Sequence, residues 1–306
     1  MSSRFAEFTP AEFSSTVLGE LEAASLDPVE IRRVVLTALE EDLRYGPDVT
    51  TMATVPADAI AVADVASRRA GTMAGIPVFL AVLDTVVGPD QVEVHTELSD
   101  GDRVAPGQVA LRVKAPVRGL LTAERTALNL LCHLSGIATL TSAWVAEVRG
   151  TNCVIRDSRK TTPGLRHLEK YAVRCGDGAN HRMGLGDAVL IKDNHVVAAG
   201  SVTDALNAVR AYAPDVSCEV EVTTLTELDA VLAARAELVL LDNFSPQQCA
   251  EAVRVRNAIG SRTRLEASGG LTLDVAREYA ATGVDYLAVG GLTHSAPALD
   301  LGLDLL

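Results

Sequence analysis

Residues 263–291 read TRLEASGGLTLDVAREYAATGVDYLAVGG. A strand-like run, Thr263–Ala267, ends in Ser268-Gly269-Gly270. A helical stretch, Thr272–Ala281, closes at Gly283. A second strand, Val284–Val289, ends in Gly290-Gly291. A strand, a helix of about ten residues and another strand make a parallel unit. The same alternation begins after Gly150. Strands are predicted at Cys153–Asp157, Ala188–Ile191, Ser217–Val222 and Glu237–Leu241. Helices are predicted at Ser201–Tyr212, with Ser201 and Asp204 as a capping pair, at Thr226–Ala234, and from Ser245-Pro246 onward. These strands, with no G-x-G-x-x-G fingerprint, predict a closed or nearly closed α/β barrel rather than a doubly wound sheet.

Residues just past the C-terminal ends of barrel strands line one mouth. That position holds Ser158-Arg159-Lys160, Lys192, Glu221, Asp242, Ser268-Gly269-Gly270 and Gly290-Gly291. Two glycine pairs on the last two strands suit phosphate, because glycine lets backbone N–H groups approach an anion. Glu221 and Asp242 have two readings. They cap the helices that follow, or they hold sugar hydroxyls, a divalent cation such as Mg²⁺, or both.

Between Arg156 and His195 lie Arg156, Arg159, Lys160, Arg166, Lys170, Arg174, Arg182 and Lys192, in a chain of formal net charge -13. A solvated helix face with ordinary ion pairs is one explanation. The interleaved turn residues, Thr161 to Gly164, Gly176, Gly178, Gly184 and Gly186, favour a focused site for a multiply charged anion.

The N-terminal half has a different texture. Residues 1–26 are mixed and acidic, either a short helix or partly disordered. Asp27-Pro28-Val29-Glu30 starts a helix that stops before Gly46-Pro47, and Asp48–Thr51 reads as a turn. Ala61–Ala66 and Gly71–Gly75 read as a strand pair, Pro77–Val87 as a helix, and Gln91–Leu98 and Val109–Val113 as strands. This is a small α+β domain. After an Arg118-Gly119 turn, a long helix over Thr122–Val148 is expected to break near Ser135-Gly136. Arg125 falls in its first turn, against the helix dipole.

The composition excludes several classes. The acidic balance argues against general nucleic-acid binding. No uninterrupted apolar run approaches the roughly 18 residues of a membrane span. The start, with Glu7 and Glu12, lacks a secretory pattern, so a cytoplasmic location is expected. Five cysteines without a C-x-x-C pair read as free thiols. His95, His133 and Trp144 read as structural; His167 and His195 read as near the site but supporting it.

The segment DSRKTTPGLRHLEKYAVRCGDGANHRMGLGDAVLIKDNH closely resembles the quinolinate phosphoribosyltransferase family. The likeness extends through ALEEDLRYGPDVTT, ERTALNLLCHLSGIATLT, EVEVTTLTEL, LLDNFSP, EASGGLT and VDYLAVGGLTHSAPALDL. Ser158 stands where many members carry Thr, which keeps a hydroxyl. The resemblance implies an N-terminal α/β sandwich domain over 1–134 and a barrel of fewer than eight strands over 135–291. Residues 292–306 would pack back on the first domain. It implies a homodimer, with Arg125 reaching the partner's site, and no nucleic-acid or membrane partner. It places quinolinate on Arg125, Ser158, Arg159, His181, Arg182 and Lys192. It places 5-phosphoribosyl-1-pyrophosphate on Lys160, Lys192, Glu221, Asp242, Ser268, Gly269, Gly270, Val289, Gly290, Gly291 and His294. Lys160, Glu221 and Asp242 would be catalytic, with Mg²⁺ near Glu221 and Asp242. The implied reaction gives nicotinate mononucleotide, pyrophosphate and CO₂.

Three rivals remain open at this point. One is a paralogue acting on nicotinate, which has one carboxylate and needs fewer cations. Another is a barrel that binds a phosphorylated ligand without catalysis, for which Glu221 and Asp242 would be superfluous. The last is a phosphosugar decarboxylase or isomerase, which needs a general acid or base.

Overall fold

A computed structural model describes residues 13–306. The first part of the reading of residues 1–26 therefore lies outside the described residues. Ser15–Ala23 forms helix α1, capped by the Ser14 side chain, which accepts the Val17 N–H. The chain divides into two compact units. One holds the chain through Leu140 with Thr162–Gly176 and Ala296–Leu306; the other holds Thr141–Thr161 and Asp177–Ser295.

The first unit is built on a mixed-sequence antiparallel sheet in the order β12-β1-β5-β3. Its strands are β1 (Ile60–Ser67), β3 (Glu93–Thr96), β5 (Val109–Pro116) and β12 (Leu301–Leu305). On β1 the period of two is plain: Ala63 and Val65 are buried, while Asp64 faces out to accept from Arg112 at 2.6 Å. Helix α2 (Pro28–Leu43) starts where expected, with the Asp27 carboxylate accepting the Val29 N–H. Helix α4 (Ile76–Val86) is apolar along most of its length and buried from Ile76 to Leu83.

Four expectations for this half need correction. Residues 61–66 and 71–75 are not paired. Both edges of β1 are taken, by β5 and by β12 from the far end of the chain. Gly71–Thr72 (β2) pairs instead with Arg103–Val104 (β4). Asp48 begins a short helix, α3 (Val49–Thr54), because its carboxylate accepts the Thr51 N–H. Helix α5 runs unbroken from Val117 to Val148, through Arg118 and Gly119 as well as Ser135 and Gly136. Arg125 consequently lies beyond the first two turns, and the argument from the helix dipole no longer applies.

The Ser135-Gly136 pair has a packing role. Ser135 Oγ accepts the Ala74 N–H at 3.0 Å. A Cβ on Gly136 would lie 2.2 Å from the Pro297 carbonyl oxygen. Glycine here admits the segment leading to β12. Helix α5 is long and apolar enough to cross a membrane by length and composition, so the expectation held only for uninterrupted apolar runs. Yet 61% of its most apolar window is buried inside the protein, the pattern of a core helix.

Helix α6 (Arg166–Cys175) belongs to the first unit and takes part of the basic segment with it. Lys170 and Glu169 are fully buried. Glu169 receives His133 Nε2 at 2.9 Å and the Thr162 N–H at 3.0 Å. Arg174 donates to the Ala24 carbonyl at 3.0 Å. Arg166, Lys170 and Arg174 thus belong to the first unit, whereas Arg156, Arg159, Lys160, Arg182 and Lys192 lie in the second.

The second unit carries six parallel strands: β6 (Val154–Arg156), β7 (Val189–Ile191), β8 (Cys218–Val222), β9 (Leu238–Asp242), β10 (Arg264–Ser268) and β11 (Tyr286–Ala288). Their order is β6-β11-β10-β9-β8-β7, so the first two in sequence are the two edges of an incomplete barrel. Beside β6, Ala179 runs as a parallel bridge to Arg156. Helices α7 (Asp193–Ala199), α8 (Val202–Tyr212), α9 (Leu225–Ala233), α10 (Pro246–Ala258), α11 (Ala276–Ala281) and α12 (Gly291–His294) alternate with the strands. One sheet face is apolar: Val220, Val222, Val239, Leu241, Leu265, Ala267 and Leu287 are all buried. The opposite face carries Arg156, Glu219, Glu221, Asp242, Glu266 and Ser268, by strand alternation and register.

Gly136→Ala is expected to cost on the order of 1–3 kcal/mol, because the new methyl meets backbone rather than a flexible side chain; a thermal melt equal to the parent's would contradict that role. Asp48→Ala should cost about 1 kcal/mol as a lost cap. The Asp48 carboxyl is held below its usual value, first by its Thr51 hydrogen bonds. Its contribution is therefore present above the unfolded carboxyl pKa and lost as pH falls through the depressed one, so the variant and parent melts should converge in acid.

Candidate active site

The strand ends of the second unit are level with one another. Ser268 is in register with Asp242 on one side and Ala288 on the other, and Ala288 with Arg156. The loops that leave these strands therefore emerge side by side.

The glycine loops differ in construction. Gly269 has φ +99° and Gly270 φ +60°, conformations that favour glycine. A Cβ on Gly269 would fall 2.3 Å from Asn243 Oδ1, so the β9 and β10 loops are in contact. Asn243 itself is left-handed, donates its N–H to the Ser268 carbonyl at 2.9 Å, and donates Nδ2 to Asp242 Oδ2 at 2.7 Å. Gly290 has an ordinary φ and is needed for space. Its Cβ would meet Lys160 Cδ at 3.0 Å, Ser158 Oγ at 3.4 Å and His294 Nε2 at 3.7 Å. Lys160 is further tied down by Thr293, whose hydroxyl donates to the Lys160 carbonyl at 2.8 Å. The structure thus brings together Ser158, Lys160, Gly290 and His294, while Val289 donates its N–H to the Arg156 carbonyl at 2.9 Å.

Neither carboxylate at the strand ends is a helix cap. Thr224 caps α9 and Ser245 caps α10. That frees Glu221 and Asp242 to face the mouth. Glu221 is in an ion pair with Lys192. Lys192 is itself the N-cap position of α7, where its N–H donates to His195 Nδ1 at 2.9 Å. His195 therefore supports the shell, as expected; His167 is exposed.

Arg182 is held below the usual arginine range, first by burial and next by the charge of Arg159. Asp187 and Glu219 act on Arg182 in the opposite sense. Arg159 Nε is buried with no hydrogen-bond partner among the described residues, which suits a ligand carboxylate.

Beneath these cations lies a group that reading strand ends alone misses. His181 Nε2 is 2.7 Å from Glu219 Oε2 and 3.5 Å from Glu266 Oε1. Arg156 Nη1 donates to Glu266 Oε2 at 2.6 Å, with its guanidinium carbon 4.6 Å from the Tyr286 ring centroid. Glu219, Glu266 and His181 are all buried. Burial, in each case the largest cause, pushes the Glu219 and Glu266 carboxyls up to about 7. On its other side, His181 Nδ1 accepts the Arg182 N–H at 2.7 Å. An accepting Nδ1 carries no proton, so the ring proton is on Nε2 and goes to Glu219. The His181 N–H is fixed in turn by Asp157 at 2.8 Å. The signal was alternation: Glu219 is two residues before Glu221, and Glu266 two before Ser268, so each shares its partner's face. Arg125 is exposed on α5 and belongs to the first unit.

Cations, carboxylates and glycine loops divided along one sheet end describe an enzyme that handles a phosphorylated substrate beside a second anion. Comparison with known proteins makes this particular. The model of the quinolinate phosphoribosyl transferase C-terminal domain matches residues 137–304, and that of the N-terminal domain residues 48–135. The nicotinate-nucleotide pyrophosphorylase [carboxylating] of Mycobacterium leprae (strain TN) is 59% identical over 90% of this chain and 96% of its own. The solved nicotinate-nucleotide pyrophosphorylase of Francisella tularensis has a TM-score of 0.85 at 36% identity, covering 90% of this chain and 96% of that one. Human nicotinic acid phosphoribosyltransferase, at 15% identity and TM-score 0.62 over 90% of this chain and 73% of that one, shares the fold alone. The chain belongs to the quinolinate phosphoribosyl transferase family.

Nitrogen-15 NMR of the imidazoles is expected to show His181 protonated at Nε2 and bare at Nδ1; a proton on Nδ1 would contradict the assigned hydrogen bonds.

Proposed function

We propose that this protein transfers the phosphoribosyl group of 5-phosphoribosyl-1-pyrophosphate to quinolinate and removes the 2-carboxylate, a step of NAD biosynthesis. The observation that carries the reading, beside family membership, is Arg159 Nε, buried with no hydrogen-bond partner among the described residues, while the Arg159 charge acts on Arg182. Quinolinate presents two adjacent carboxylates, which guanidiniums grip through paired hydrogen bonds. Lys192 and Ser158 complete that subsite from the same chain, and His181 supports it through the Arg182 N–H that its Nδ1 accepts. A cytoplasmic homodimer, with Arg125 of one protomer entering its partner's site, is part of the reading; the exposure of Arg125 on α5 supports it.

The phosphosugar takes the other end of the mouth. Ser268, Gly269, Gly270, Val289, Gly290, Gly291 and His294 receive the 5-phosphate, and Lys160 and Lys192 border the pyrophosphate. Glu221 and Asp242 hold the ribose and Mg²⁺. Their hard oxygens suit that ion, and the helix caps make no use of them. When bound, Mg²⁺ supplies positive charge to the pyrophosphate group.

The pyridine nitrogen attacks the anomeric carbon with its lone pair; the N–C bond forms as the C–O bond to pyrophosphate breaks. The nucleophile has no proton to lose, so no general base is required. The residues contribute orientation and electrostatic stabilisation of an oxocarbenium-like state. The resulting pyridinium withdraws electrons from C2. The C2–carboxylate bond then breaks, CO₂ leaves, and C2 takes a proton from solvent.

Supplied with quinolinate, 5-phosphoribosyl-1-pyrophosphate and Mg²⁺, the protein is expected to release CO₂ and pyrophosphate in equal amounts, and to release no pyrophosphate with nicotinate. Pyrophosphate from nicotinate without CO₂ would overturn the reading in favour of a paralogue. Arg159→Ala and Arg182→Ala should each raise the KM for quinolinate about tenfold or more, the scale of a lost charged hydrogen bond, with a much smaller change for the phosphosugar. Equal effects on both substrates would contradict the assignment.

A further inference from the structure

Two carboxylates of the buried group, Glu219 and Glu266, have no part in the roles assigned above, yet they are costly to maintain. Two carboxylates out of water are unfavourable unless their partners are fixed. Here the partners are specific. Glu266 is anchored by Arg156, which is stacked on Tyr286. Glu219 accepts a hydrogen bond from His181 Nε2. Glu219 Oε1 and Glu266 Oε1 are buried with no hydrogen-bond partner among the described residues. A pair that served stability alone would be replaceable by apolar side chains on a sheet whose other face is already apolar.

The geometry points upward from this pair. His181 has both ring nitrogens engaged inside the protein, one on Glu219 and the other on the Arg182 backbone. The ring is therefore a spacer between the carboxylates and Arg182. Glu219 also faces the charges of Arg156, Arg182, Lys192 and Glu221, and Glu266 those of Glu219, Arg156 and His181. The charge of Glu219 acts on Arg182 in the sense opposite to that of Arg159.

We propose that Glu219 is a positioning residue for the aromatic-acid subsite, holding the His181 ring so that its Nδ1 fixes the Arg182 backbone and aims the guanidinium at a ligand carboxylate. The inference rests on the reading of Arg182 as a quinolinate contact.

Steady-state kinetics of Glu219→Ala, Glu219→Gln, Glu219→Asp, Arg182→Ala and the Arg182→Ala/Glu219→Ala double variant test it, with circular dichroism confirming the fold. Glu219→Ala should raise the KM for quinolinate about tenfold while leaving that for the phosphosugar within about twofold. Glu219→Gln, which keeps an acceptor for Nε2, should recover most of the loss. The double variant should be no worse for quinolinate than Arg182→Ala, because residues acting through one another are not additive. If Glu219→Ala does not fold, Glu219→Asp carries the test, since its shorter side chain withdraws the carboxylate from Nε2. Equal rises in both KM values, or additive losses in the double variant, would overturn the positioning role. A large effect of Arg182→Ala with none from either Glu219→Ala or Glu219→Asp would overturn it alone. No effect of Arg182→Ala would overturn the underlying assignment as well.

Discussion

Alternation along a parallel strand is the constraint on which the second unit depends. Successive side chains point to opposite faces, so a strand with helices on one side must choose what to present on the other. Here Val220, Val222, Val239, Leu241, Leu265, Ala267 and Leu287 fill one face. The other face receives Arg156, Glu219, Glu221, Asp242, Glu266 and Ser268. A barrel of this small strand number would ordinarily fill its interior with branched apolar residues. Replacing some of them with ions calls for partners, and the Arg156–Glu266 and Glu219–His181 contacts supply one for one oxygen of each carboxylate.

Close backbone approach is the second recurring device. Gly136 lets the segment before β12 cross α5 in the first unit, and so lets the chain's end complete the sheet on β1. Gly290 and Gly269 do the corresponding work in the second unit, one making room for Lys160 and the other for Asn243. Only Gly269 needs its glycine for conformation as well, with φ +99°. The same residue type thus answers two different demands.

Legibility in the sequence followed the range of the interactions. In the second unit each strand was readable, because strand, turn and helix cap lie within a few residues of one another; Ser245-Pro246 opens a helix where local chemistry says it should, and α9 begins at Leu225, one residue before the expected Thr226. The first unit was harder. The partner of β1 is β12, at the other end of the chain, and nothing near Ala61 announces it. Gly136 looks like a helix breaker until Pro297 is placed beside it. Likewise His133 shows no partner until Glu169 is brought to it. The site was half legible. Reading the last residue of each strand found Glu221, Asp242 and Ser268 but stopped short of Glu219 and Glu266, which lie one inward-facing position deeper on the same strands.

That deeper layer follows from the chemistry. A nucleophile without a proton leaves the protein little to do except orient two anions and tolerate their charge. Orientation by long side chains is imprecise unless their own backbones are held, and Arg182 follows directly on a buried histidine whose ring is tied at both ends. Cations concentrated at one mouth also repel each other, as Arg159 and Arg182 do. Carboxylates placed below them, out of reach of solvent, counter that repulsion without competing for the ligand at the surface. The position that serves both needs is one strand repeat beneath the residues at the strand ends, and Glu219 occupies it beneath Glu221.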